Sequence, residues 1–208
     1  MAKILVHIND LPSNINFTGD IAIDTEAMGL RRERDRLCLV QLKDETGDVH
    51  LVHFPQDSYD YKKAKNLIEL LVNPSFTKIF HYARFDIGIM RYYFGIDFIP
   101  NIFCTKIASR LTRTYTDHHG LRSLLIDILG VELKKEQQSS NWGANILTEP
   151  QKNYAASDVL YLHSAKAKLI TMLKNSDRLD IAQKYFSFLD TIVTTDMLGF
   201  EEDLFRHQ

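Results

Sequence analysis

The sequence predicts an α/β fold, a mixed central sheet flanked by helices and followed by a helical C-terminal extension. Three features predict it. Short β-branched and apolar runs bounded by turn residues crowd the first quarter of the chain. After them, apolar runs alternate with stretches whose apolar residues recur at helical spacing. From Thr148 onward only the helical spacing remains. Strands that begin as hairpins and then alternate with helices give a mixed sheet covered by helices.

The first strand is Ile21-Ala22-Ile23, ending in Asp24-Thr25-Glu26. Leu37 to Leu42 and Val49 to Phe54 are the next two, and Asp44-Glu45-Thr46-Gly47-Asp48 between them reads as a hairpin turn. Such hairpins give the sheet an antiparallel start. Ala64 to Val72 has helical spacing, with Leu67, Ile68 and Leu71 on one side and Asn73-Pro74 as the stop. Lys78 to His81 is a strand, Asp86 to Phe94 a helix closed by Gly95, and Ile102 to Cys104 a short strand entering a helix through Leu111. Helices are expected at Leu121 to Leu129, from Thr148 to about Leu173, and from about Asp177 to Met197. No Pro/Gly/Ser-rich linker, repeat or low-complexity tract interrupts the order βββαβαβα. The expectation is one domain over 1–208, with a core to about 174 and the extension from about 175.

The 208 residues suffice for a substantial core, and 45% hydrophobic content excludes a disordered chain. The N-terminal stretch lacks the apolar run of a secretion signal, and no segment is long enough to span a membrane. Cys38 and Cys104 sit in strand-like runs, as buried thiols in a reducing compartment do, so a cytoplasmic location is expected. A net charge of −2 argues against holding long nucleic acid by counterion release. Basic clusters occur at Arg31, Arg32, Arg34 and Arg36, at Lys62, Lys63 and Lys65, and at Arg110 and Arg113. Each alone reads as a solvated surface; together they suit a short anionic substrate better than a long one.

Asp24 and Glu26, two apart at a strand end, point to one side and make half a site for a hard cation such as Mg²⁺ or Mn²⁺. Alone, an Asp-x-Glu pair reads better as a solvated loop entry. His81-Tyr82-Ala83-Arg84-Phe85-Asp86 stands where a strand passes into a helix and offers a third carboxylate in Asp86. His81 reads either as a donor to phosphate or as a satisfied histidine. Tyr154 and Asp158 are i and i+4 on a helix begun by Thr148, Pro150 and Gln151, a capping box with proline in the first turn. Jointly, four carboxylates in this order supply what two-metal phosphodiester cleavage needs, and a tyrosine one turn from a ligand can orient the attacking water.

With these motifs the chain resembles the DEDDy 3′→5′ exonucleases, the tyrosine subclass that includes ribonuclease D. Asp24 with Glu26 matches the first exonuclease motif, Asp86 the second, and Tyr154 with Asp158 the third. Within that group it resembles the nano-RNase C family in Asp35 to Cys38, in Phe103 to Asp117, in Gln137 to Trp142 and in Ala155 to His163. The resemblance implies a ribonuclease H-like fold and hydrolysis of short oligoribonucleotides, especially dinucleotides such as pGpG, to nucleoside monophosphates. It also implies a homo-oligomer, an octamer built from dimers, and two divalent cations, Mg²⁺ or Mn²⁺. Asp24, Glu26 and Asp158 would hold one ion, and Asp24 and Asp86 would serve the other. Tyr154 would place the water, and Leu30 would act as an apolar wedge beside the terminal bases. Thr25 and His81 would contact substrate.

Arg110 and Arg113 are the phosphate candidates, since guanidinium groups give bidentate contacts. Asp117-His118-His119-Gly120 reads as a loop rather than a metal site, with a phosphate contact as the alternative. Trp142 reads equally as packing or as a stacking surface. Two other functions compete: a broader exonuclease on longer RNA or DNA, and a catalytically silent RNA-binding scaffold. The complete carboxylate set argues against the scaffold.

Overall fold

In the computed structural model, which describes residues 2–133, 139–200 and 204, the chain opens with four strands. These are β1 (Ile4–Ile8), β2 (Ile21–Ala27), β3 (Leu37–Lys43) and β4 (Val49–His53). Then come α1 (Lys65–Val72), β5 (Lys78–Phe80), α2 (Ala83–Phe94), β6 (Ile102–Cys104) and α3 (Thr105–Thr112). Four more helices follow, α4 (Leu121–Leu129), α5 (Glu149–Leu160), α6 (Leu162–Asn175) and α7 (Leu179–Met197). The strands form one sheet in the order β1-β4-β3-β2-β5-β6.

The β2–β3 and β3–β4 pairs are antiparallel, whereas β2–β5 and β5–β6 are parallel. This is the expected mixed sheet, and Asp44 to Asp48 is the expected turn. β3, inside the sheet, is buried along its whole length. Even Lys43 is buried there, because its ammonium donates to the Asp44 carbonyl at 2.6 Å and the Glu45 carbonyl at 3.1 Å. Parallel strands β2, β5 and β6 aim their C-terminal ends the same way, and α2 and α3 start just beyond β5 and β6. The crevice at such strand ends is where open α/β sheets bind ligands.

Three details differ from the sequence expectation. β1 is an additional strand, parallel to β4 at the sheet edge. Its side chains are half-buried or exposed, so it carries no clean alternation to read. β2 runs on through Asp24 and Glu26, which pair with Gln41 and Leu39 before a bulge at Glu26/Ala27. The long helix from Thr148 breaks at Tyr161, whose backbone has φ −109° and ψ 0°. No Gly or Pro marks that break; His163 and Lys166 bind the Asp20 carbonyl and carboxylate, drawing α6 toward the start of β2. The expected helical C-terminal extension is present and packed onto the core. α7 packs against α2, with Arg84 bidentate on Asp196 at 2.7 and 2.6 Å and Arg91 on Asp190 at 2.9 Å. Gln137 and Gln138 of the family-like stretch lie outside the described residues.

Candidate active site

Three elements bring the acidic side chains together. β2 presents Asp24 and Glu26 on one side, as a period of two requires. The first turn of α2 carries Asp86, 3% exposed. α5 crosses β2, β3 and β4 and carries Tyr154 and Asp158 one turn apart. Carboxylate oxygens of Asp24, Glu26 and Asp158 all lie within 4.8 Å of one another. Asp86 is held next to them by the Thr25 hydroxyl, which donates to its Oδ1 at 2.6 Å. The expected capping box orients α5: the Thr148 N–H donates to Gln151 Oε1 at 2.9 Å, and the Gln151 N–H to Thr148 Oγ1 at 3.4 Å.

Crowded, half-buried carboxylates cannot all ionise in a low-dielectric site without a counter-charge. Burial raises the Asp24 carboxyl to about 7. Burial, then repulsion from Asp24, Asp158 and Asp86, raises Glu26 to about 10. Asp86 and Asp158 are pushed the same way by burial and by Asp24. Among the described residues no cation stands against these four groups. A hard divalent cation with oxygen ligands fits the donor set and reverses each of these shifts. Tyr154 is raised too, by burial and then by Asp158, Glu26 and Asp24, so its phenol stays protonated at neutral pH.

The other sequence candidates divide. Leu30 is 84% exposed at the tip of the loop after β2. That tip is fixed by Asp35, which accepts the Arg31 N–H at 3.0 Å; at Gly29 any Cβ would overlap the Asp35 carboxylate. His81 lies at the end of β5, its Nδ1 2.9 Å from Thr105 Oγ1 and its buried Nε2 without a hydrogen-bond partner. Burial, then Lys106, lowers it to about 3, so it is neutral and not a cationic phosphate ligand. Arg110 is exposed on α3.

Arg113 is not. Its side chain is 2% exposed, bound to Asp127 at 2.7 Å and to Ser109 Oγ and the His118 carbonyl at 3.0 Å each. It clamps the loop before α4, and a phosphate contact does not fit it. His118 and His119, with Arg122, Tyr154 and Asp158, line a groove of about 570 Å³. Arg122 was not a sequence candidate, since it stands in no motif. Trp142 is 1% exposed and packs 6.0 Å from the Tyr154 ring centre, which makes it a wall for the tyrosine and not a stacking surface.

Fold and carboxylate arrangement together define a class. Residues 3–174 match the 3′-5′ exonuclease family, and the chain belongs to it. Along its full length it is similar to NrnC of Brucella melitensis: the structure bound to pGG is 44% identical, with a TM-score of 0.90 and 100% of both chains covered. The same protein with bound Mg²⁺ is 43% identical at a TM-score of 0.89, covering 99% of this chain and all of that one. Ribonuclease D of Gluconacetobacter diazotrophicus is 34% identical over 161 residues, 77% of this chain. The chain spans 39% of that relative's length. No helix among the described residues is long and apolar enough to cross a membrane, and Cys38 and Cys104 are buried free thiols.

Proposed function

We propose that this protein is a metal-dependent 3′→5′ exoribonuclease that hydrolyses short oligoribonucleotides, dinucleotides above all, to nucleoside 5′-monophosphates. The observation that carries the reading is the convergence of Asp24, Glu26 and Asp158 within 4.8 Å, with Tyr154 one turn from Asp158. Full-length similarity to a protein solved with pGG, and with Mg²⁺, supports the substrate and the metal.

Asp24, Glu26 and Asp158 would hold one divalent cation, and Asp24 with Asp86 a second, Mg²⁺ or Mn²⁺. Bound there, such ions would neutralise the carboxylates, favour hydroxide at neutral pH and stabilise charge on the leaving 3′ oxygen. The chain's own residues do the rest. Thr25 fixes Asp86, and Gln41 reaches toward Asp24, its Nε2 3.4 Å from Oδ2. Tyr154, a neutral phenol backed by Trp142, orients the attacking water. Water oxygen joins the phosphorus, the bond to the 3′ oxygen breaks, and that oxygen takes a proton. Leu30, with little around it, separates the terminal bases, while His81 and Arg110 meet the substrate backbone.

We read the described chain as one catalytic domain, cytoplasmic, working as a homo-oligomer, an octamer built from dimers. Exposed Tyr185 and Phe188 on α7 support association. Light scattering should give a mass near eight chains, and a monomer would remove this part of the reading. The enzymatic test is hydrolysis of a 5′-labelled dinucleotide with Mg²⁺ or EDTA. Loss of the substrate only with metal is expected; no hydrolysis under either condition would end the proposal.

A further inference from the structure

A cleft of about 290 Å³ is lined by Leu30 and by the start of α2, at the small end of ligand-binding clefts. Leu30, Tyr82, Phe85 and Ile89 give it apolar walls, and Arg31 and Arg84 stand among them. The far side is preformed. Arg84 grips the Asp196 carboxylate, and Arg32 donates to the Asp196 carbonyl. None of the four carboxylates nor Tyr154 lines this cleft.

Tyr82 has an unusual place in it. Its backbone is left-handed, with φ 72° and ψ 46°, a conformation that an aromatic residue adopts only under strain. Glycine would make the same entry to α2 freely. Burial does not compensate, since the ring is 46% exposed. It stands one residue from His81 and four from Asp86, so the strain holds an exposed aromatic surface at the entry to the helix that carries Asp86. The Lys106 ammonium lies 3.9 Å from its centroid; Lys106 does not line the cleft, which leaves the ring approachable from the cleft side. An aromatic plane, aliphatic walls and nearby cations together match a nucleobase whose sugar carries phosphate.

We propose that Tyr82 is a stacking platform for one nucleobase of the substrate, with Leu30 bounding the cleft that receives it. This rests on the exoribonuclease reading and adds a binding residue outside the exonuclease motifs. Tyr82 binds and does not take part in bond cleavage.

The test uses the full-length protein, pGpG, and two analogues that each lack one base. Equilibrium binding in Ca²⁺ and hydrolysis in Mg²⁺ are measured for wild type, Tyr82→Phe and Tyr82→Gly. Tyr82→Gly should weaken binding of pGpG and raise KM roughly five- to a hundredfold, the range that base–aromatic stacking gives, while kcat changes less than threefold. Its Tm should rise by roughly 2–4 °C as the backbone strain is released, which separates the loss from misfolding. Tyr82→Phe should match wild type. Wild type should also lose affinity for one of the two abasic analogues, and Tyr82→Gly should not distinguish that analogue from pGpG. Wild-type hydrolysis with Kd and KM of Tyr82→Gly within twofold of wild type would overturn the platform alone. Binding that depends on Tyr82 without any hydrolysis would keep the platform and overturn the nuclease reading. A wild type that neither binds nor cleaves pGpG would overturn both.

Discussion

Asp24 and Glu26 hold their protons far above the ordinary carboxylate range because the site crowds negative charge where water is scarce. A carboxyl whose folded pKa is raised stabilises the fold most at low pH. That contribution fades as pH climbs from the unfolded value near 4 through about 7 for Asp24 and about 10 for Glu26. Protein stripped of metal should therefore lose thermal stability between pH 5 and 8, and Mg²⁺ should restore it at pH 8 far more than at pH 5. Thermal melts with and without EDTA check this; a metal effect independent of pH would mean that these carboxylates do not bind it. Tyr154 makes a different prediction. Its phenol is kept protonated, so it acts by position and not as a base. Tyr154→Phe should lower kcat on the order of a hundredfold while leaving metal affinity within a few-fold. An unchanged kcat would remove Tyr154 from the reaction.

At the scale of the element, α5 delivers two of the five central residues, and its first turn fixes where they point. Thr148→Ala removes the cap that satisfies the Gln151 N–H, at a cost of about 1 kcal/mol, or roughly 2–4 °C in Tm. Thr148→Ser should keep both the cap and the melting temperature, and an equal loss in the two variants would show that the hydroxyl is not what matters. This cap was legible in the sequence because Thr148, Pro150 and Gln151 are local, and so was the shared face of Tyr154 and Asp158. Asp24 and Glu26 were legible for the same reason, a period of two along one strand. Arg113 was not. Its partner Asp127 lies on another helix, so only tertiary packing turns the guanidinium inward. β1 was missed because an edge strand with exposed residues on both faces carries no alternation, and the break at Tyr161 because contacts to Asp20 make it, with no local breaker. Nor does anything in His81-Tyr82-Ala83 announce a left-handed tyrosine.

At the scale of the molecule, the sheet order decides where chemistry can occur. β2 is antiparallel to β3 and parallel to β5, and the parallel strands end where α2 and α3 begin. Two motifs meet at that junction, and α5 brings the third across the sheet. α7 then holds the far side of the Leu30 loop through Asp196, so the C-terminal helix lines the cleft beside Leu30. The order of motifs along the chain pointed to this meeting, but that Arg110 stays exposed while Arg113 is buried depends on packing that no single-sequence pattern records.

Metal-dependent removal of nucleotides from short RNA is the activity we assign to the carboxylate cluster. Its most direct test is hydrolysis of 5′-labelled RNAs of two to seven nucleotides, with Mg²⁺, Mn²⁺ or EDTA, by wild type and Asp24→Asn. Rapid metal-dependent loss of the dinucleotide, slower turnover of the longer RNAs, and a rate lower by roughly a thousandfold in Asp24→Asn are expected. Longer RNAs trimmed to a persistent dinucleotide would contradict the short-substrate assignment, and full activity in Asp24→Asn would contradict the site itself.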